Sequence, residues 1–373
     1  MKKRNIAICS VLKPLRDSRG FYKLAISLRE TNKYRINIIG FLEKNTPKEE
    51  NIEFTEIFSQ HRLHPSRLLA PWKVLQQWRK FKPELIIIST WELLIIARIY
   101  KRFQPCKIIY DVQENYSLNI KYNKSLPSPL RKLAQWWVQS VEKFSKPSID
   151  HYLLAEACYL EELAHFRPAT LIENKYNGAI KPGERKKLRQ ENLHFLISGT
   201  LSPAYGTTDA IRWFVDLVKD YPQAKLSIIG HSPLASYSLE IEELCRGQSE
   251  ITSHISPLPV PKASIEQAIL RANVLLLPYH IYPSIAAKIP TKLYEALANN
   301  KPVVLSKNPV WENIIDAYPA GIAVDFSSKN THKASIEKLL STRFFDHPVG
   351  SEVSWDSEGK KLISLVEKLL SNR

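Results

Sequence analysis

The residues best suited to chemistry in this 373-residue chain read Pro290-Thr291-Lys292-Leu293-Tyr294-Glu295-Ala296-Leu297-Ala298-Asn299-Asn300-Lys301-Pro302-Val303-Val304. Pro290 presets the backbone for a first helical position. The N–H groups of that turn lack helical carbonyl partners and, with the helix dipole, make an anion site. Glu295 follows about a turn and a half later, roughly 7 Å along the axis. Ribose hydroxyls lie at a comparable distance from a nucleotide's diphosphate, and a carboxylate there can accept both hydrogen bonds of a vicinal diol. The plainer reading is a surface glutamate on an ordinary helix. Asp111 and Glu114 stand at the end of a predicted strand, where ligand binding, acid–base assistance and capping of the next segment are all open. No Asp-x-Asp occurs. Cys9, Cys106, Cys158 and Cys245 lie far apart, with no C-x-x-C and no histidine at ligand spacing. Buried, reduced thiols are expected, with no disulfide framework and no metal.

The elements that must position these residues follow from hydropathy. In the first half, apolar runs at Ile6–Val11, Ile36–Phe41, Leu85–Ser89, Lys107–Val112, Tyr152–Ala155 and Thr170–Ile172 alternate with helical patterns near 19–31, 66–81, 92–103, 129–145 and 157–165. In the second half the runs are His194–Ser198, Lys225–Ile229, Ile251–Ile255, Val274–Pro278, Pro302–Leu305 and Ile322–Phe326, with helical patterns between them. Near-continuous Ile/Leu/Val strands are buried on both faces, as in parallel sheets. Strand–helix alternation in both halves predicts an α/β chain of two doubly wound, Rossmann-like domains. Residues 1–176 form the first, 193–354 the second, and the polar stretch 177–192, with its Gly and Pro, joins them. Ligands of such sheets bind beyond the carboxyl ends of the strands, which places a shared cleft between the two domains. Within 129–145, Leu130, Leu133, Ala134, Trp137, Val141 and Phe144 share a stripe, which predicts a core position for Trp137 and an exposed one for Trp136.

The net charge is +16. Residues 1–176 hold 30 lysines and arginines against 17 acids, and the remainder holds 23 against 20. That asymmetry suggests an anionic partner for the first half. A helix-turn-helix, zinc or RNA-recognition signature is missing, so nucleic acid is not expected as the partner. The apolar run after the basic N-terminus is short for a signal peptide, and no run approaches the roughly 20 apolar residues of a membrane span. The expected location is the cytoplasm.

The stretch from Pro290 resembles the "P-x-K-x-x-E-x-x-A-x-x-K-P-V-V" signature of retaining nucleotide-sugar glycosyltransferases of the family 4 (group 1) kind, which have a GT-B fold. Ser198-Gly199-Thr200-Leu201-Ser202-Pro203-Ala204-Tyr205-Gly206 is similar to that family's Gly-rich turn. Ser227-Ile228-Ile229-Gly230-His231-Ser232-Pro233 is similar to its "I-x-G-x-x-P" loop, and Val274–Tyr279 to its strand ending in "L-P". Asp17-Ser18-Arg19 with Lys23–Arg29 resembles its opening "D-x-R" helix. Ile109-Tyr110-Asp111-Val112-Gln113-Glu114 resembles "Y-D-x-H-E". Trp355 and the helix 358–370 resemble the closing segment, so that 355–373 is expected to cross back to the first domain.

The resemblance implies an enzyme: a metal-independent, hexosyltransferase-like glycosyltransferase. It would take a nucleotide-sugar as co-substrate, without a cofactor, and transfer the sugar with retention to a saccharide or lipid-linked acceptor, in cell-surface polysaccharide or glycolipid assembly. The second domain would bind the donor through Gly199, Thr200, Tyr205, Gly206, Gly230, His231, Lys288, Pro290, Thr291, Lys292 and Glu295. The first domain would bind the acceptor. Asp111, Gln113, Glu114 and Lys292 would be the catalytic group. The sequence departs from the family pattern at several points. A second glutamate is usual where Ala287 stands, and diphosphate-holding cations where Thr200 and Tyr205 stand. Histidine is usual at Gln113 and glycine at Asn300. Lys292 or Lys288 could replace the missing phosphate charge, since lysine works as a mobile point charge. A catalytically silent GT-B-like binding or scaffold subunit is the alternative.

Lipid-linked acceptors would suit the basic first half. Residues 61–82 carry no acid. There Trp72, Val74, Leu75, Trp78 and Phe81 stand beside Arg79, Lys80 and Lys82, a composition that fits the anionic inner face of a membrane. A crossover helix packed on the sheet, with solvated lysines, accounts for the same residues. The basic run Arg185–Arg189 has no aromatic partner and reads as solvated surface.

Overall fold

The computed structural model describes residues 3–41, 48–57, 69–122, 127–183, 185–328 and 331–371. They fall into two units, Met1–Asn177 with Trp355–Arg373 and Gly178–Ser354.

In the first unit, β1 (Arg4–Pro14) leads through a π-helical turn (Gly20–Ala25) into α1 (Ile26–Glu30) and β2 (Tyr34–Phe41). Then follow β3 (Ile52–Glu56), α2 (Ala70–Phe81), β4 (Leu85–Ile88), α3 (Leu94–Phe103) and β5 (Lys107–Val112). After them come α4 (Tyr116–Tyr122), α5 (Ser128–Ser145), β6 (His151–Leu154), α6 (Tyr159–Glu162) and β7 (Ala169–Leu171). The strands form a parallel sheet in the order β3-β2-β1-β4-β5-β6-β7.

The second unit begins with β8 (Lys186–Lys187), β9 (His194–Thr200), α7 (Thr207–Asp220), β10 (Lys225–His231), α8 (Ala235–Cys245) and β11 (Ile251–Ser256). It continues through α9 (Lys262–Arg271), β12 (Val274–Leu277), α10 (Thr291–Ala298), β13 (Val303–Ser306), α11 (Pro309–Ala317) and β14 (Gly321–Val324). It closes with α12 (Thr331–Ser341) and β15 (Arg343–Phe344), the latter antiparallel to β8. The main sheet is parallel, in the order β11-β10-β9-β12-β13-β14. Both sheets are doubly wound, with switch points beside β1 and β9 where the strand order reverses.

Each face of the first sheet is covered. Val74, Trp78, Tyr100 and Val141 pack on one side, and Phe21, Leu24 and Leu28 on the other. The last helix, α13 (Trp355–Ser371), completes the second face with Trp355, Leu362, Val366 and Leu370. Its Glu358 is fully buried and accepts from Lys175 and Lys361 Nζ, each at 2.9 Å, and from Glu173 N at 3.1 Å. Four cysteines are free thiols, and burial pushes Cys9 up to about 12.

Two expectations for the first unit are corrected. The aromatic flank of α2 is core: Val74, Leu75, Trp78 and Phe81 are buried, and Trp78 donates to Cys9 Sγ at 3.3 Å. Only Trp72 of that group is exposed, under the Arg79 guanidinium. Residues 61–68 of the acid-free stretch lie outside the described residues. In α5 the buried line is Val138, Val141 and Ser145, while Trp137, Leu130, Leu133 and Phe144 are exposed with Trp136. Polar groups set this rotation. Gln135 and Gln139 donate to Ser117 Oγ at 2.9 and 2.8 Å, and Glu142 accepts from Tyr110 Oη at 3.0 Å. An apolar stripe alone does not say which edge of a helix turns inward.

Two elements of the first unit, β3 and α4, had no counterpart in the hydropathy pattern, nor did the short β8 and β15 of the second. β3 is an edge strand, mostly half-buried, and α4 buries no residue fully. The helix expected at 157–165 shortens to α6.

A buried ion pair fixes the start of the fold. Arg19 Nε lies 3.0 Å from both oxygens of Asp111, and Nη2 lies 2.8 Å from Oδ1. The two residues are 2% and 0% exposed. Asp17 turns the chain ahead of them by accepting from Arg19 N and Gly20 N at 3.1 and 2.9 Å. Removing one partner of such a pair strands a charge in the core and costs about 3–5 kcal/mol, whereas an apolar replacement of both is close to neutral. Arg19→Met is therefore expected to lower the urea midpoint of the first unit sharply. Arg19→Met with Asp111→Leu should recover most of that loss, and equal midpoints for the two variants would refute the pair's role.

Candidate functional site

The carboxyl ends of β9, β10 and β12 converge with the N-terminus of α10 inside the second unit. Glycines make the convergence possible. A β-carbon on Gly230 would lie 2.0 Å from Gly199 O, and one on Gly206 would lie 1.8 Å from Pro278 O. Gly206 also has φ +60°, a left-handed conformation that favours glycine. Strands β9 and β10 pair to their ends, Gly199 beside Gly230 and Thr200 beside His231. Leu201 N donates to His231 O at 2.8 Å. The chain then turns at Gly206 straight into α7.

Lysine closes the other side. Pro290 is the N-cap of α10, so Thr291 and Lys292 occupy its first turn. The Lys292 side chain reaches back to β9: a β-carbon on Gly199 would lie 2.8 Å from its Cε and 2.9 Å from its Nζ. Burial pushes its pKa down to about 8, against the opposing pull of Glu295. Glu295 is three residues on, on the same helix face. An ammonium, a helix N-terminus and an uncrowded glycine backbone thus meet at one point. That set can hold a diphosphate.

Tyr205 packs at a tilt against Tyr279, ring centroids 4.7 Å apart, and Tyr279 meets Trp311 edge-on at 5.6 Å. Burial pushes the Tyr279 phenol well up. Trp311 Nε1 donates to the carbonyl of Lys288 at 2.6 Å, which anchors the loop before α10. His280 binds Asp209 of α7 at 2.7 Å, and its N–H donates to Ala204 O at 3.0 Å. Sequence reading missed the Tyr279 and Asp209–His280 contacts. Asp209 had left a signal, an acid in the first turn after a glycine cap.

Gly199, Thr200, Tyr205, Gly206, Gly230, His231, Pro290, Thr291, Lys292 and Glu295 accordingly lie on these strand ends, the turn and the helix start, with Lys288 in the adjoining loop. Asp111, Gln113 and Glu114 belong to the first unit. There Asp111 is committed to Arg19 and to Gln113 Nε2, which donates at 2.8 Å. Glu114 is exposed and accepts from Asn119 at 2.9 Å.

Residues 181–361 match the sequence model of the family Glycosyl transferases group 1. No curated protein matches the sequence significantly. Among solved structures, sucrose-phosphate synthase from Thermosynechococcus elongatus is similar over 100% of both chains, with TM-score 0.69 and 14% identity. Anabaena Alr3699/HepE in complex with UDP-glucose is similar over 98% of this chain and 99% of its own, with TM-score 0.65 and 13% identity. A trehalose-6-phosphate protein from E. coli, bound with UDP-2-fluoro glucose, gives TM-score 0.58 and 11% identity over 98% of this chain and 95% of its own. Residues 181–361 are thus similar to glycosyl transferases group 1, and the chain has a GT-B fold.

Proposed function

We propose that this protein transfers a sugar from a nucleotide-sugar donor to a saccharide or lipid-linked acceptor, with retention and without a metal, in cell-surface polysaccharide or glycolipid assembly. The observation that carries the reading is Lys292 laid across Gly199 at the start of α10. The UDP-glucose and UDP-2-fluoro glucose in the two similar structures support a donor of that class.

The chemistry follows from charge. As the glycosidic bond to a nucleoside diphosphate breaks, negative charge grows on the β-phosphate. Lys292 and the α10 N-terminus stabilise that charge from fixed positions, without reorganisation. With attack from the face the diphosphate leaves, the departing phosphate takes the acceptor's proton, and no carboxylate nucleophile is needed. Glu295 accepts from the ribose diol and sets the register of the donor. Asp111, held by Arg19, serves as scaffold. Glu114 is the exposed carboxylate of that segment, suited to an acceptor hydroxyl. A lipid-linked acceptor would bring the basic first unit to the anionic inner face of a membrane.

A silent binding subunit is the second reading, favoured by Tyr205 packed against Tyr279 where the family has a cation. Calorimetry with a panel of nucleoside diphosphates decides between the two, since the transferase must bind at least one.

Glu295→Ala is expected to weaken nucleoside diphosphate binding by about 1.5–3 kcal/mol, the range for charged hydrogen bonds. Unchanged affinity would remove Glu295 from the donor site.

Lys292 gives a pH dependence. It is charged below its pKa of about 8, so diphosphate binding should be level below that pH. Above it the affinity should fall by up to about tenfold per pH unit, because binding must then take up a proton. Lys292→Gln should bind more weakly at neutral pH and show no such fall. A wild-type profile flat from pH 7 to 9.5 would contradict the assignment.

A further inference from the structure

Helix α5 carries an apolar face that the first unit does not use. Leu130, Leu133, Trp136, Trp137 and Phe144 fall within an arc of about 120° on the helix, and each is 50–60% exposed. An 18-residue helix spans about 27 Å, so this stripe is long as well as wide. No helix among the described residues is long and apolar enough to cross a membrane.

The exposed charges of α5 beside the stripe are basic. Lys132 and Lys143 are exposed and lie within about 40° of its edge. Arg98 of α3 places its guanidinium 4.1 Å from the Phe144 ring centroid. The one carboxylate of the helix, Glu142, is turned inward to Tyr110. Burial raises that carboxyl to about 7, so it is only partly ionised at neutral pH. Tryptophans with a cationic shoulder match the interface of an anionic bilayer, where indole rings sit at headgroup depth. A second copy of this chain would oppose cation to cation, which disfavours self-association through the same face.

We propose that α5 is the membrane-docking surface of this protein. The Trp136–Trp137 stripe enters the interface of an anionic phospholipid bilayer, and Lys132 and Lys143 meet the headgroups. The assignment rests on the proposed transfer reaction only for its purpose, access to a lipid-linked acceptor. It replaces α2, whose aromatic residues are mostly core.

The experiment is vesicle co-sedimentation of the full chain, with phosphatidylcholine alone and with about 30 mol% phosphatidylglycerol. Leu133→Ser/Trp136→Ser/Trp137→Ser is compared with Arg79→Ser/Lys80→Ser/Lys82→Ser on α2. Wild type should favour the anionic vesicles and lose affinity in high salt. The α5 variant should bind at least about tenfold more weakly and the α2 variant within about twofold of wild type. Far-UV circular dichroism and the urea midpoint of the first unit should be the same in all three, which shows an intact fold. An α5 variant that binds vesicles like wild type, or a wild type indifferent to anionic lipid, overturns the proposal. So does a wild-type dimer in analytical ultracentrifugation that the α5 variant abolishes, since it gives the face to a second copy. Vesicle binding that follows α5 in a protein that binds no nucleoside diphosphate would sink the transferase reading and leave the docking surface standing.

Discussion

At Gly230 and Gly206 the backbone of the second unit passes so close to its neighbours that no β-carbon fits. The rest of the site depends on that crowding. It lets β9 and β10 stay paired to their last residues and lets the turn enter α7 without a spacer. It also leaves the end of β9 bare enough for a lysine from α10 to lie across it. The lysine's lowered pKa is a by-product of the same closeness. Side chains at these glycines would push the strand ends apart and return Lys292 to solvent. Its charge would then be screened and its position no longer fixed.

The first unit is organised around charge held in the core. Asp111 is the penultimate residue of β5, buried next to Tyr110 and Val112, and its cost is offset by the two-pronged approach of Arg19. Glu358 plays a comparable part in α13, taking two lysines and a backbone N–H. Both networks join segments remote in sequence. Apolar packing alone would hold these segments together without fixing their register. A buried acid of this kind invites a catalytic reading, yet both carboxylate oxygens of Asp111 are engaged by protein groups.

Much of this was legible in the residues. The runs of Ile, Leu and Val that became β4, β5, β12 and β13 could only be buried on both faces, so the parallel sheets followed. The segments that meet at Gly199 and Gly206 were legible because glycine and proline leave a mark where the backbone must do something unusual. Other features left weaker marks. The half-buried β3 and α4 carry little hydropathic signal. The rotation of α5 was misread because a run of large apolar residues looks like a core stripe, while the smaller Val138 and Val141 in fact face inward. What turned the helix was Gln135, Gln139 and Glu142, whose partners lie on other elements and cannot be seen from periodicity. The Tyr205–Tyr279 contact joins residues far apart in the chain for the same reason.

The division of the chain has a consequence for the order of folding. The second unit is one uninterrupted stretch, whereas the first is split, with α13 made only after all of the second. Trp355, Leu362, Val366 and Leu370 are therefore absent while the first sheet is being synthesised. One face of that sheet stays partly uncovered until the chain has emerged far enough to return them. Domains tend to fold as units during synthesis, the earlier first. Here the earlier one must wait, and the later one can be complete before it. The part of that face which α13 completes is what stays bare in the interval, so the newborn first unit has more apolar surface to protect than the second.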